Sequence, residues 1–177
     1  MEEKIILAGG CFWCTEAVFS LLDGIKKITP GYIGGTTENP TYKEVCTGTT
    51  NHAEAIEVLY DPNTVSTLDI LRVFFSTHDP TTLNRQGGDK GTQYRSAIFY
   101  ENEEQKELVK SYIDNLTKEE VYEDKIVTEV VPASTFYAAE VEHKEYYAAN
   151  PTQPFCSMVI APKLEQVHRL FSDKLKK

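Results

Sequence analysis

An α+β fold, a two-layer sandwich with helices packed on a mixed sheet, is what this 177-residue sequence predicts. Three observations lead there. Strand-like and helix-like segments follow one another in mixed order. The composition, 41% hydrophobic and 25% charged, is that of a globular chain able to fill one core. Long stretches rich in Gly, Thr, Asn and Tyr separate the regular segments and read as catalytic loops. No internal repeat or low-complexity stretch interrupts the chain, so 1–177 is read as a single domain.

The elements follow in order. The apolar run from Lys4 to Ala8 ends in Gly9-Gly10 and suits a buried strand entering a tight turn. Cys14, Ala17, Val18, Leu21 and Leu22 share one face at helical spacing, and Gly24 marks the stop. Ala55 to Tyr60 alternates as a half-buried strand does and ends in the turn residues Asp61-Pro62-Asn63. Ser66-Thr67-Leu68-Asp69 has the form of a capping box and opens a helix with Ile70, Leu71, Phe74 and Phe75 inward. Ser96 to Tyr100 reads as a strand, followed by a charged helix with Leu108, Val109, Tyr112, Ile113 and Leu116 on one side. Ile126 to Val131 is the next strand. Pro162 starts a last helix carrying Leu164, Val167, Leu170 and Phe171, whose end at Lys174, Lys176 and Lys177 complements the helix dipole. Ile33 to His52 and Thr77 to Gln93 read as loops without regular structure, and Ala149 to Pro162 as a third, flexible segment.

Charge and ends exclude several functions. A net charge of -9 with no basic stripe argues against a nucleic-acid partner. Met1-Glu2-Glu3-Lys4 lacks a basic leader, and Ile5-Ile6-Leu7-Ala8 is too short to span a membrane, so a cytoplasmic protein is expected. In that compartment thiols stay reduced, and four cysteines do not form a disulfide framework.

Cys11 stands at the strand-to-helix junction, where unpaired backbone N–H groups favour a thiolate, the reactive form. A buried inert cysteine and half of a zinc site are the alternatives. Zinc needs four Cys or His ligands, commonly as two close pairs, and the sequence has no second C-x-x-C; no metal is expected. His52, His78, His143 and His168 show no ligand spacing and read as surface or packing residues. Cys46 reads as a buried free cysteine. Phe12 and Trp13 place two apolar side chains beside the sulfur, as holding a thioether methyl requires, or serve as core aromatics. The pair Cys11 and Cys14 also matches a thioredoxin-like disulfide exchanger.

Four segments carry a resemblance: Gly9-Gly10-Cys11-Phe12-Trp13; Gly31-Tyr32-Ile33-Gly34-Gly35 with Asn39-Pro40-Thr41-Tyr42-Lys43-Glu44-Val45-Cys46; His52-Ala53-Glu54-Ala55; and Gly91-Thr92-Gln93-Tyr94-Arg95-Ser96-Ala97-Ile98. From about residue 5 to Asn150-Pro151 the sequence resembles the peptide methionine sulfoxide reductase A family. The resemblance implies a ferredoxin-like arrangement, and reduction of free and protein-bound methionine S-sulfoxide for repair of oxidised proteins. It implies no bound cofactor, thioredoxin as reductant and a monomer. It assigns the nucleophile to Cys11, which becomes a sulfenic acid, and the resolving thiol to Cys156 on the flexible C-terminal segment. Glu54, Tyr42 and Tyr94 match the residues acting on the sulfoxide oxygen. In an apolar pocket Glu54 would stay protonated and serve as general acid. Asp89 matches an acidic residue that contacts substrate or orients the pocket. Two departures stand out: Cys14 replaces a frequent glycine and is an alternative resolving thiol, and Phe155 replaces a frequent tyrosine.

Overall fold

The computed structural model describes residues 2–176. Its central sheet has six strands: β1 (Glu3–Gly9), β2 (Ile25–Ile33), β3 (Ala53–Tyr60), β6 (Ser96–Tyr100), β7 (Glu129–Pro132) and β8 (Tyr137–Ala138). They lie in the order β7-β6-β1-β3-β2-β8. All neighbouring pairs are antiparallel except β6 with β7. Helix α1 (Phe12–Phe19) joins β1 to β2, and α3 (Thr67–Thr77) leads from β3 towards β6. The unit β1-α1-β2-β3-α3-β6, with sheet order β6-β1-β3-β2, is the ferredoxin-like split βαβ arrangement.

The faces of the sheet differ because side chains alternate along each strand. Ile5, Leu7, Ile56, Val58 and Ile98 meet α1, α3, α4 (Glu103–Lys118) and α6 (Ala161–Leu170) in one large core, to which Phe12, Val18, Phe19, Phe74, Val109 and Val167 contribute. Ile6, Ala8, Ile33, Ala55, Ala97 and Phe99 face the other way, under Val131, Ala133 and Phe136. Being sandwiched on both faces, β1 reads as a continuous apolar run, and α1 is buried nearly all round. Among the described residues no helix is long and apolar enough to cross a membrane.

The structure departs from the sequence pattern in three stretches and at the C-terminal helix. The 33–52 stretch contains α2 (Tyr42–Cys46), opened by a capping box in which Thr41 and Glu44 exchange hydrogen bonds. The 77–93 stretch contains a hairpin, β4 (Arg85–Gln86) with β5 (Asp89–Lys90), and a 3-10 turn at Thr92–Tyr94. The 149–162 stretch is largely helical: α5 (Tyr146–Ala149) precedes it, and a π-helical turn at Cys156–Ile160 runs into α6. Helix α6 ends at Leu170, which is 51% exposed, and Lys174 lies beyond it, paired with Asp69 at 3.6 Å. Lys177 falls outside the described residues.

Candidate active site

Antiparallel pairing collects the chemistry at one end of the sheet. With Leu7 opposite Ile56, the end of β1 lies beside the start of β3; with Gly9 opposite Ser96, it also lies beside the start of β6. Cys11 follows β1, Glu54 opens β3, Tyr94 precedes β6, and Tyr42 follows β2, whose Tyr32 is opposite Glu54. Four residues far apart in sequence thus share one corner. Gly10 makes the turn from β1 to α1 at φ 96°, a region that L side chains rarely adopt.

Cys11 is the N-cap of α1 and is 8% exposed. Glu54 is 1% exposed; its Oε1 accepts the Phe12 backbone N–H at 3.2 Å, and its Oε2 has no partner. Burial pushes Glu54 up to about 8, Asp89 adding to the shift and the Phe12 amide opposing it. The carboxyl is therefore protonated at neutral pH, with one oxygen unengaged. Burial also pushes the Cys11 thiol well up, with Cys14 and Glu54 adding, against the pull of the Trp13 amide. The expected depression by the helix N-terminus is thus overridden in the substrate-free site, because desolvation outweighs one amide. Cys14, buried as its helix position predicts, takes a hydrogen bond from Cys11, faces Lys163 and is pulled down.

Around this pair stand phenols and rings. Tyr42 and Tyr94 are pushed far up by burial first and Glu54 next, so both are neutral donors. Asp89, itself pushed up by burial, lines a cleft of about 400 Å³ with Cys11, Cys14, Gln86, Phe155 and Lys163. Phe12 is fully buried, its ring 5.7 Å from Tyr32, 6.3 Å from Tyr42 and 5.4 Å from His143. Trp13 is half-buried. Tyr146 lies flat on its indole at 3.8 Å and 9°, and Phe155 meets it edge-on at 6.0 Å.

The chain segment 140–146 contributes residues that sequence reasoning missed. His143, assigned to surface or packing, is buried beside Trp13 and accepts its indole N–H at 3.1 Å. Glu140 accepts the Tyr32 hydroxyl at 2.9 Å and the Tyr42 backbone N–H at 3.0 Å. No local spacing announces either residue, since their partners lie about a hundred positions away. Among the described residues, Glu140, Glu142 and His143 alone bring three possible metal-ligand atoms within 4.8 Å of one another. Both Glu140 oxygens and His143 Nδ1 are already engaged, so the group is a poor fit for an ion.

Of the remaining thiols, Cys156 is fully buried, and Cys11, Cys14 and Cys156 share one cluster with Ala17 and Ile160. Cys46, expected to be buried, is exposed at the end of α2.

The family model described as peptide methionine sulfoxide reductase matches residues 3–175. The chain is 53% identical over 175 residues to a peptide methionine sulfoxide reductase MsrA of Deinococcus radiodurans, covering 99% of this chain and 85% of the relative. Its fold is similar to reduced Mxr1 of Saccharomyces cerevisiae, with TM-score 0.81, 36% identity, and 86% and 87% of the two chains covered. Mxr1 in complex with Trx2 is also similar, with TM-score 0.58, 25% identity, and 82% and 84% covered.

Proposed function

This chain belongs to the peptide methionine sulfoxide reductase family, and from that premise we propose that it reduces the S epimer of free and protein-bound methionine sulfoxide by thiol chemistry at Cys11. The observation that carries this reading is the buried Glu54 carboxyl, one oxygen on the amide next to Cys11 and the other unengaged, which burial pushes up to about 8. A sulfoxide sulfur is a weak electrophile until its oxygen accepts a proton or strong hydrogen bonds. Glu54 supplies the proton, and Tyr42 and Tyr94 donate hydrogen bonds to the same oxygen. Phe12 and Trp13 wall the side that receives the methyl group, and Asp89 orients the substrate's polar end.

The step balances without a net proton: thiol plus sulfoxide gives sulfenic acid plus thioether. Because Cys11 and Glu54 both begin protonated, the carboxyl hands its proton to the oxygen and recovers the one that the thiol releases as its sulfur attacks. The sulfenic acid then condenses with Cys156, expelling water and forming a disulfide that a thioredoxin reduces to two thiols. Cys14 is the second candidate for that condensation, favoured by its hydrogen bond to Cys11. The protein acts without a bound cofactor, as a cytoplasmic monomer repairing oxidised proteins, with the C-terminal segment around 149–162 moving during recycling.

Incubation with dithiothreitol and a methionine S-sulfoxide peptide tests the reading by mass spectrometry. Methionine should appear with the natural chain and not with Cys11→Ser; no methionine from the natural chain sinks it. Cys156→Ser should complete one turnover and recycle poorly with thioredoxin. Peptide mapping after one turnover then shows whether Cys11 pairs with Cys156 or Cys14.

A further inference from the structure

Trp13 and Glu16 lie about one turn apart on the same face of α1, and one stretch of chain docks on both. Tyr146 stacks on the indole. One residue earlier, the Glu145 backbone N–H donates to Glu16 Oε1 at 2.7 Å, and the Tyr146 amide faces the same carboxylate. Glu145 makes this possible by adopting φ 54°, ψ 36°, left-handed backbone that turns into the helical Tyr146, so that successive N–H groups converge on one acceptor. Helix α5 spans only Tyr146–Ala149 and has no side-chain cap of its own, far too short to hold its place alone. Glu16 is 5% exposed and carries no part of the chemistry described above; burial pushes its carboxyl up to about 7, against the pull of the Glu145 and Tyr146 amides, and its oxygen accepts from them in either protonation state.

We propose that Glu16 is a positioning residue for sulfoxide reduction: its carboxyl oxygen clamps the 145–146 turn onto α1 and thereby sets Tyr146 on Trp13, fixing the wall that receives the substrate's methyl group. The proposal rests on the role given to Trp13 above. Trp13 and Glu16 form a two-point register on a rigid helix. Loss of the second point frees the turn to slide and lets the indole rotate out of the orientation that meets the methyl group.

Trp13 is the only tryptophan in the sequence, so emission reports the surroundings of this one indole. Glu16→Leu removes the acceptor, and Glu16→Ala removes it without adding bulk; both are measured so that disturbance of α1 by one replacement does not decide the outcome. Each should red-shift Trp13 emission and increase its quenching by acrylamide. In single turnover each should raise the half-saturating concentration of a methionine sulfoxide peptide about tenfold while the maximal rate stays within about threefold, the split expected when a binding wall is loosened and the reacting groups stay in place. Glu16→Gln keeps a carbonyl acceptor for both amides and should restore emission and half-saturation to the natural values. Tyr146→Ala should shift the emission as Glu16→Leu does, and the double variant no further. Natural emission in Glu16→Leu and Glu16→Ala, a Glu16→Gln as impaired as they are, or additive shifts in the double variant would each overturn the clamp. The fluorescence needs no turnover, so a chain that reduces no sulfoxide sinks the proposed function while the emission of its Glu16 variants still tests the clamp separately.

Discussion

Glu54 meets two opposed demands, since the burial that keeps it protonated also makes its ionised form costly to the fold. One oxygen holds the Phe12 amide at 3.2 Å and the other has no partner, so the ionised carboxylate is under-solvated while the neutral acid is tolerated. Activity should therefore fall as pH rises through about 8, where the acid is lost. Glu54→Gln, which cannot give up a proton, should slow single-turnover reduction by about 10²–10⁴-fold and remove that limb of the pH profile. Stability provides an independent check. The folded value near 8 lies above the 4.5 of an exposed glutamate, so between these values the folded chain binds more protons than the unfolded one. Its stability must then drop as pH rises. The Tm of Glu54→Gln relative to the natural chain should be lowest below pH 4.5, climb through this window and level off above about 8, gaining several degrees at about 2–4 °C per kcal/mol. A Tm difference that does not change with pH would show that the carboxyl is not buried in its charged form. In the sequence Glu54 is only an acid leading into a strand, and no spacing reveals its environment; the ordered motifs pointed to it. Cys11 was legible from its junction, yet its protonation was not, because desolvation comes from segments far away in sequence.

Helix α2 shows how a short element depends on its ends. Five residues cannot sustain a helix unaided, and Tyr42 is the first of them. Two devices fix it: the reciprocal Thr41 and Glu44 capping box, and Glu140 accepting the Tyr42 amide. Thr41→Ala should cost about 1 kcal/mol, visible as a Tm lower by about 2–4 °C. It should also slow reduction, because Tyr42 then samples other positions. Tyr42→Phe separates the effects: it should slow single turnover while leaving Tm close to natural, and an equal loss of Tm in both variants would make the hydroxyl structural. The Thr41-x-x-Glu44 signature was present in the sequence but masked by the Gly- and Asn-rich stretch around it. β2 was missed for a different reason. Lys26-Lys27, Pro30 and Gly31 break its apolar pattern, and proline argues against an inner strand. The strand forms because β3 supplies a full partner along Ile25–Ile33, while beyond it β8 pairs only with Gly31 and Tyr32. The strands β1, β3 and β6 and the helices α3 and α4 were legible because their periodicity is set by burial along their own length.

At the scale of the whole molecule, the sheet and its helices, α6 included, form one body, while the chain from Tyr137 to Ile160 lies over its edge and the end of α1. Its links are the two-residue β8, Glu140 holding Tyr32 and Tyr42, His143 on the Trp13 indole, the stack of Tyr146 on Trp13, the Glu16 contact, and the thiol-lined cluster where Cys156 packs on α1. The ferredoxin-like order was implied by the family resemblance, since strand order depends on long-range pairing that no local pattern encodes. The proposed resolving step makes a demand on this segment, because Cys156 is fully buried and a thioredoxin has to reach any disulfide formed there. If Cys156 is the resolving thiol, the C-terminal segment must open without unfolding the sheet. Elements held by few contacts open at a free energy well below that of global unfolding, and with a weaker denaturant dependence. Pulsed alkylation followed by peptide mapping reads all four cysteines at once. Cys46, exposed at the end of α2, should label first. Cys156 should label next, through an opening whose free energy changes little with low concentrations of urea, and Tyr146→Ala should speed it by releasing the stack. Should Cys156 instead label with the free energy and urea slope of global unfolding, the segment does not open on its own, and the condensation with the Cys11 sulfenic acid belongs to Cys14.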